Sequence, residues 1–425
     1  MPEVFVIDGH APLHGEVPVS GAKNSATKLL ATALLAPGCS RLERVPRVAE
    51  VGPMSEVLAH LGAQVRWTGD NELVVDVPEE LGIEAPYEPV RRMRASTAVL
   101  GPLVARTGRA RVALPGGCNL GHRGIDLHVR GLEQLGASIE LVHGYLVAEA
   151  PKLRGAHVTF DYPSHGATET LVMAASLAQG TTVIDNASRE PEIHDLTSFL
   201  QRMGARISGV GTNRIEVEGV DRLKPASYSV MPDRLEAGTY AIAAVAAGGD
   251  VRITDMVPGH LELVFEMLQE TGAEVRTEDH AVRVTADGSP KPVDVSTLPY
   301  PGFPTDLQPL VVAMLTRASG LSIVTENIFD GRFMFIDELA RMGADVHAEG
   351  QYVVVRGVQR LMGAPVVAPD LRAGAALVVA GLTAEGRTVV EGLEQIDRGY
   401  ENLTGKLQAL GARVRRVPSD QLVEA

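Results

Sequence analysis

Six times along this 425-residue chain a helix-like stretch ends in a small-residue stop, followed one residue later by Val or Ile. The stops are Leu61-Gly62-Ala63, Leu135-Gly136-Ala137, Met203-Gly204-Ala205, Thr271-Gly272-Ala273, Met342-Gly343-Ala344 and Leu410-Gly411-Ala412. Successive glycines lie 74, 68, 68, 71 and 68 residues apart. A fixed internal period dictates architecture before any local reading. Six units of one kind, in a chain long enough for two domains, imply two domains that each repeat one α/β unit three times.

A second marker lies upstream of the stops, where an Ala/Leu-rich stretch runs into Gly and then an alternating segment. Examples are Leu34-Leu35-Ala36-Pro37-Gly38, Leu177-Ala178-Gln179-Gly180 before Thr182-Val183-Ile184, and Leu382-Thr383-Ala384-Glu385-Gly386 before Thr388-Val389-Val390. The pattern predicts a buried helix, a glycine C-cap and a strand. Each unit then holds two helices and several short strands, broadly βαβαββ. The stretches 241–247, 310–314 and 373–380 have almost no polar face. Helices apolar all round are enclosed, so helices belong inside and sheets outside. Met231-Pro232-Asp233-Arg234 opens the fourth unit near the midpoint and marks a domain crossover. One domain is expected over 22–231, and the other over 1–21 and 232–425. No Rossmann or P-loop fingerprint is present.

Formal net charge is -14, which speaks against nucleic acid or an anionic membrane as partner, since both reward a basic face. No apolar run is long enough to span a bilayer, and Met1-Pro2-Glu3 does not begin a signal segment. Two cysteines make no disulfide framework. Together these predict a soluble cytoplasmic protein. Lysines are few, six against 33 arginines, so the close pair Lys23 and Lys28 stands out.

Three features carry potential chemistry. The stretch Leu114-Pro115-Gly116-Gly117-Cys118-Asn119-Leu120-Gly121-His122-Arg123-Gly124 describes an exposed loop with a thiol in it. Beside Arg123 and His122, Cys118 is either an activated acid or nucleophile, or a bystander. Cys39, just after a helix stop, is expected in the core as a small hydrophobe. Secondly, polar residues open apolar helices at Gly21-Ala22-Lys23-Asn24-Ser25, Pro304-Thr305-Asp306 and Pro369-Asp370-Leu371-Arg372. Helix N-termini attract anions, although Asp306 and Asp370 would also serve as ordinary N-caps. Arg94, Arg123, Arg234, Arg332, Arg372 and Arg398 are candidates to line a shared anion site. Thirdly, the scattered histidines show no HExxH or Cys/His spacing, so neither metal nor cofactor is expected.

Together these stretches resemble the enolpyruvyl transferase family, in its UDP-sugar branch. The resemblance rests on Ser20-Gly21-Ala22-Lys23-Asn24, Met93-Arg94-Ala95-Ser96, Gly116-Gly117-Cys118 with Gly121 and Arg123, Asp126-Leu127-His128, Arg189-Glu190-Pro191-Glu192-Ile193, Pro232-Asp233-Arg234, Phe303-Pro304-Thr305-Asp306, Arg332-Phe333-Met334, Asp370-Leu371-Arg372 and Asp397-Arg398-Gly399-Tyr400-Glu401. They follow the family's order along essentially the whole chain. The resemblance implies two inside-out α/β domains, each of three βαβαββ units around a pseudo-threefold axis. It implies transfer of the enolpyruvyl group of phosphoenolpyruvate to the 3-hydroxyl of UDP-N-acetylglucosamine, the first committed step of peptidoglycan synthesis, by a monomer or weak homo-oligomer.

By the same resemblance Cys118 is the proton donor and the target of fosfomycin, and Asp306 accepts the sugar hydroxyl's proton. Lys23, Arg123 and Arg398 hold the phosphate with Arg94 nearby, while Arg332 and Arg372 take the carboxylate end. Asn24 orients the sugar. Asp126, Leu127, Ser164, His165 and Gly166 match the nucleotide contacts, and Ile328 and Asp370 complete the substrate-binding set. The chain departs from common family residues at Gly124 (Pro), Asp330 (Glu) and Gln395 (His). Two other readings stay open: the same transfer onto another nucleotide acceptor, or a non-catalytic UDP-sugar-binding paralogue.

Overall fold

The computed structural model describes residues 2–114 and 124–421. The chain forms two compact units, one of residues 21–114 and 124–231 and one of residues 2–20 and 232–421. Each unit carries three four-stranded sheets.

The third repeat shows the plan. Strand His157–Thr159 leads through helix His165–Ala175 to strand Thr181–Asp185, with which it pairs in parallel. A parallel pair cannot be joined by a tight turn, so the crossover must be long, and a helix fills it. Helix Pro191–Arg202 follows, then the antiparallel strands Arg206–Ser208 and Arg214–Glu218. This is βαβαββ, and all six sheets repeat its order of one parallel and two antiparallel pairings, although three of them take one strand from a distant part of the chain.

The recurrent Gly-Ala stop has a conformational cause. All six glycines have positive φ, between 87° and 104°. In each, the alanine N–H reaches back to the carbonyl of the leucine five residues earlier: Leu58, Leu132, Leu200, Leu268, Leu339 and Leu407. That is a Schellman closure, in which only glycine takes the left-handed residue without strain, while the leucine is buried beneath the turn. The upstream glycines differ from expectation. The helices end at Ala33, Ala175 and Thr383. Gly38, Gly180 and Gly386 therefore do not cap them; they turn the chain into the next strand with φ of 108°, 88° and 86°.

The inner helices of the second unit are Arg234–Ala247, Gln308–Leu315 and Leu371–Thr383, and they pack on one another. Every residue of the latter two is buried. In the first unit, helix Leu100–Thr107 presses on His165–Ala175, where a Cβ on Gly101 would lie 2.6 Å from the Thr170 carbonyl oxygen. The outer helices, such as Pro191–Arg202 and Glu262–Glu270, bury one face only.

Closure of both units explains the crossover. Strand Leu13–Pro18 pairs in parallel with Gly249–Thr254, and Glu3–Asp8 lies between Arg387–Glu391 and Arg413–Pro418. The chain's start thus completes two sheets of the second unit, and Ser227–Ser229 completes a sheet of the first by pairing with Gly38–Glu43. No helix among the described residues is long and apolar enough to cross a membrane.

Cys39 overturns its expected burial. It lies on strand Gly38–Glu43, whose inward positions are Ser40 and Leu42, and alternation turns its thiol to solvent.

Candidate active site

In the second unit two inner-helix N-termini bring distant residues together. Asp306 lies in the 3-10 turn Thr305–Leu307 that feeds helix Gln308–Leu315, and Arg372 lies in the first turn of helix Leu371–Thr383. Asp370 caps that helix, accepting from the Arg372 and Ala373 N–H groups at 2.8 and 3.1 Å. Asp306 does not cap its helix. Its Oδ2 accepts from Arg372 Nε at 3.1 Å and its Oδ1 from Arg332 Nη1 at 2.9 Å. Two nearly buried guanidinium groups, side chains 2% exposed, therefore share one carboxylate that is 25% exposed.

Their remaining hydrogens are under-used. Arg332 Nε and both terminal nitrogens of Arg372 have no acceptor of good geometry among the described residues. Tyr400 lies beside Arg372, its ring centre 5.3 Å from the guanidinium carbon, and the Phe329 ring lies 5.6 Å from that of Arg332. Buried donors without acceptors are costly, and planar guanidinium forks match carboxylates and phosphates. Ile328 contributes its backbone N–H, which bonds Glu326 Oε1 at 2.8 Å. Arg398, half-buried, donates to Gln395 Oε1 at 3.4 Å.

In the first unit Lys23 opens helix Lys23–Ala33 and its Nζ lies 2.8 Å from Glu50 Oε2. Asn24, next on that helix, is half-buried. Ser164 caps helix His165–Ala175, accepting from the Ala167 N–H at 3.3 Å. His165 is held between two carboxylates, Nε2 3.0 Å from Glu169 and Nδ1 2.8 Å from Glu190. Burial works against its charge, but Glu190 and Glu169 outweigh it and hold the imidazole well above its ordinary pKa. Glu169 also meets Lys28. Burial favours neutral Glu169, yet Lys28 and His165 keep its pKa below the usual value.

Gly166 leaves room for the His128 ring, whose Nε2 lies 3.0 Å from where a Cβ would stand. Burial, and then Lys28, push His128 down to about 4. Its Nδ1 pairs with Thr170 Oγ1 at 2.9 Å. Arg94 opens the 3-10 turn Arg94–Val99 and adds to the positive charge felt by His128. Asp126 begins helix Asp126–Gln134, exposed, with Leu127 half-buried behind it. Cys118 and Arg123 lie outside the described residues.

The structure thus joins Asp306, Arg332, Arg372 and Asp370 in one cluster, and Ser164, His165 and Gly166 with His128 in another. Sequence reasoning missed Glu50, Glu169 and Glu190, the carboxylates that pair with Lys23, Lys28 and His165, and buried Glu326, which accepts from Thr305. Glu190 lies within a quoted motif, but nothing local marks the others. Among the described residues no group of three or more His, Cys, Asp or Glu side chains is arranged to hold a metal ion.

Residues 7–407 match the family described as EPSP synthase (3-phosphoshikimate 1-carboxyvinyltransferase). The chain belongs to the EPSP synthase family. Within that family it is 51% identical over 417 residues to the UDP-N-acetylglucosamine 1-carboxyvinyltransferase of Corynebacterium jeikeium, covering 98% of this chain and all of that one. It is 52% identical to UDP-N-acetylglucosamine 1-carboxyvinyltransferase 2 of Carboxydothermus hydrogenoformans, covering 98% and 99%. Among solved structures, the enolpyruvyl transferase NikO from Streptomyces tendae superposes with a TM-score of 0.87 at 26% identity, over 98% of this chain and 99% of that one. EPSP synthase from Acinetobacter baumannii shares the fold, with a TM-score of 0.73 at 17% identity over 98% and 100%. The chain is accordingly a transferase with the two-domain inside-out α/β fold of that family.

Proposed function

We propose that the chain transfers the enolpyruvyl group of phosphoenolpyruvate to the 3-hydroxyl of UDP-N-acetylglucosamine with release of phosphate, in the cytoplasm, at the first committed step of peptidoglycan synthesis. The observation that carries the acceptor is identity of 51–52% along the full length of relatives named for that reaction. The anion chemistry is supported by the paired guanidinium groups around Asp306, with their unused N–H donors.

The reaction is an addition followed by an elimination. C3 of phosphoenolpyruvate gains a proton, C2 becomes electron-poor, and the sugar oxygen attacks C2 as its proton leaves. The tetrahedral ketal then loses a C3 proton and expels phosphate from C2, restoring the double bond. An acid and a base are needed, and general acid–base groups of this kind each contribute about 10²–10⁴-fold. Cys118 is assigned the acid and Asp306 the base. A carboxylate has about four lone-pair sites, so two guanidinium bonds leave Asp306 with capacity to accept a hydroxyl proton. Arg332 and Arg372 are assigned the substrate carboxylate, and Lys23, Arg123 and Arg398 the phosphate with Arg94. Asn24 is assigned the sugar, and Asp126, Leu127 and the stretch Ser164 to Gly166 the nucleotide.

Phosphate release tests the assignment. Release is expected with phosphoenolpyruvate and UDP-N-acetylglucosamine, and not with 3-phosphoshikimate; the opposite preference overturns it. Cys118→Ala is expected to abolish turnover. Cys118→Asp is expected to keep turnover and escape fosfomycin, because a carboxylic acid still protonates C3 but is not alkylated like a thiolate.

A further inference from the structure

Glu326 follows strand Leu321–Thr325 and is 1% exposed. A carboxylate buried this deeply is expensive unless every lone pair is answered. Its Oε1 accepts from Thr297 Oγ1 at 2.9 Å and from the Ile328 and Phe329 N–H groups at 2.8 and 3.1 Å. Those three bonds close the turn after the strand, which is an ordinary structural task. Oε2 does something else: it accepts from Thr305 Oγ1 at 2.8 Å.

A threonine hydroxyl has one hydrogen and two lone pairs. With its hydrogen committed to Glu326, Thr305 must present a lone pair elsewhere, and Arg332 Nη1 donates to it at 2.8 Å. The same nitrogen donates to Asp306 Oδ1 at 2.9 Å. Four groups from two stretches of chain, 305–306 and 326–332, are thus linked in a row: Arg332 donates on one side to Thr305, which donates to Glu326, and on the other side to Asp306. We infer that Glu326 is a positioning residue of this site: through the Thr305 hydroxyl it sets the orientation of the Arg332 guanidinium, and so of the carboxylate of Asp306.

Glu326→Gln tests the direction of the relay with little change of shape. Its amide oxygen still serves the turn, but an NH₂ replaces Oε2, so the Thr305 hydroxyl loses its acceptor and turns its hydrogen toward a guanidinium that can only donate. The kinetic arm rests on the transfer reaction proposed above. Glu326→Gln is expected to lower kcat about 10- to 100-fold, the size of effect that follows misplaced catalytic groups, and to raise KM for phosphoenolpyruvate. Thr305→Val is expected to lose a similar factor, and Thr305→Ser to recover most of it. Because the two residues act in series, the double variant Glu326→Gln/Thr305→Val should be no worse than either single. Losses that multiply in the double variant, or a Glu326→Gln enzyme turning over at the wild-type rate, overturn the relay.

Thermal unfolding gives a readout that needs no turnover. Coupling in Tm between Glu326→Gln and Arg332→Met is expected with Thr305 present and should vanish in a Thr305→Val background. Coupling that persists there overturns the relay. If the wild-type chain releases no phosphate from either acceptor while the coupling vanishes as expected, the reaction is wrong and the relay stands.

Discussion

Around Glu169 in the first unit, cations and carboxylates alternate: Lys28 meets Glu169, Glu169 meets His165, and His165 meets Glu190. Around Asp306 in the second unit, two deeply buried arginines meet a single carboxylate, and three of their nitrogens have no acceptor of good geometry among the described residues. The first arrangement balances its own charge and is complete as it stands. The second leaves guanidinium donors unanswered among the described residues, which an anion would complete. The contrast separates a cluster that stabilises its unit from one that stores binding capacity at some cost to stability, as functional sites commonly do.

The largest expected effect comes from the shared carboxylate. Asp306→Asn should lower kcat for phosphate release by about 10²–10⁴-fold, the usual contribution of a positioned general base. Next comes a stability contrast between the clusters. Lys28→Met leaves buried Glu169 with His165, which also serves Glu190, and should lower unfolding free energy by up to about 3–5 kcal/mol, the cost of breaking one side of a buried pair. Arg372→Met removes a buried cation whose donors are poorly answered, while Asp306 keeps Arg332, so ligand-free stability should change far less or rise. Equal losses in denaturant titrations of the two variants would break the comparison.

Protonation sharpens it further within the first unit. His165 has its pKa raised by folding, so its contribution is fully present below the unfolded value of about 6.5 and fades as pH rises through the higher folded value. His128 is opposite, with a folded pKa of about 4. As pH falls from about 6.5, the unfolded chain takes up a proton that the folded chain refuses, and stability drops. Tm measured from acid to neutral pH should show a flatter acid limb for His128→Gln. The deficit of His165→Gln should be largest at low pH and shrink as pH rises.

The smallest effect is one in which the units should not differ. Gly204→Ala in the first unit and Gly272→Ala in the second each force a side chain into left-handed backbone, and each should cost about 1–2 kcal/mol. Unequal Tm shifts would mean that the six stops are not equivalent.

The repeat was legible because its cause is local. A Schellman closure needs glycine at one position and an apolar residue at another, so it leaves the same mark wherever it occurs. The cap role of Asp370 was legible for the same reason, although nothing local told it from Asp306, whose carboxylate goes to two guanidinium groups instead. Gly180 and Gly386 were misread because a helix stop and a strand entry both call for glycine, and only the helix end itself decides. Cys39 was misread because residue preference was weighed above the strand's alternation, which Leu42 already set. Glu326 left no mark at all, since Thr297 and Thr305 stand 29 and 21 residues away along the chain and meet it only in the fold.

The central claim is that the second unit's arginines hold unanswered capacity for an anion, and thermal unfolding with added phosphoenolpyruvate tests it most directly. Ligand that binds only the folded chain raises Tm, so wild type and Lys28→Met should both be stabilised while Arg372→Met should lose most of the shift. A shift of equal size in Arg372→Met would contradict it.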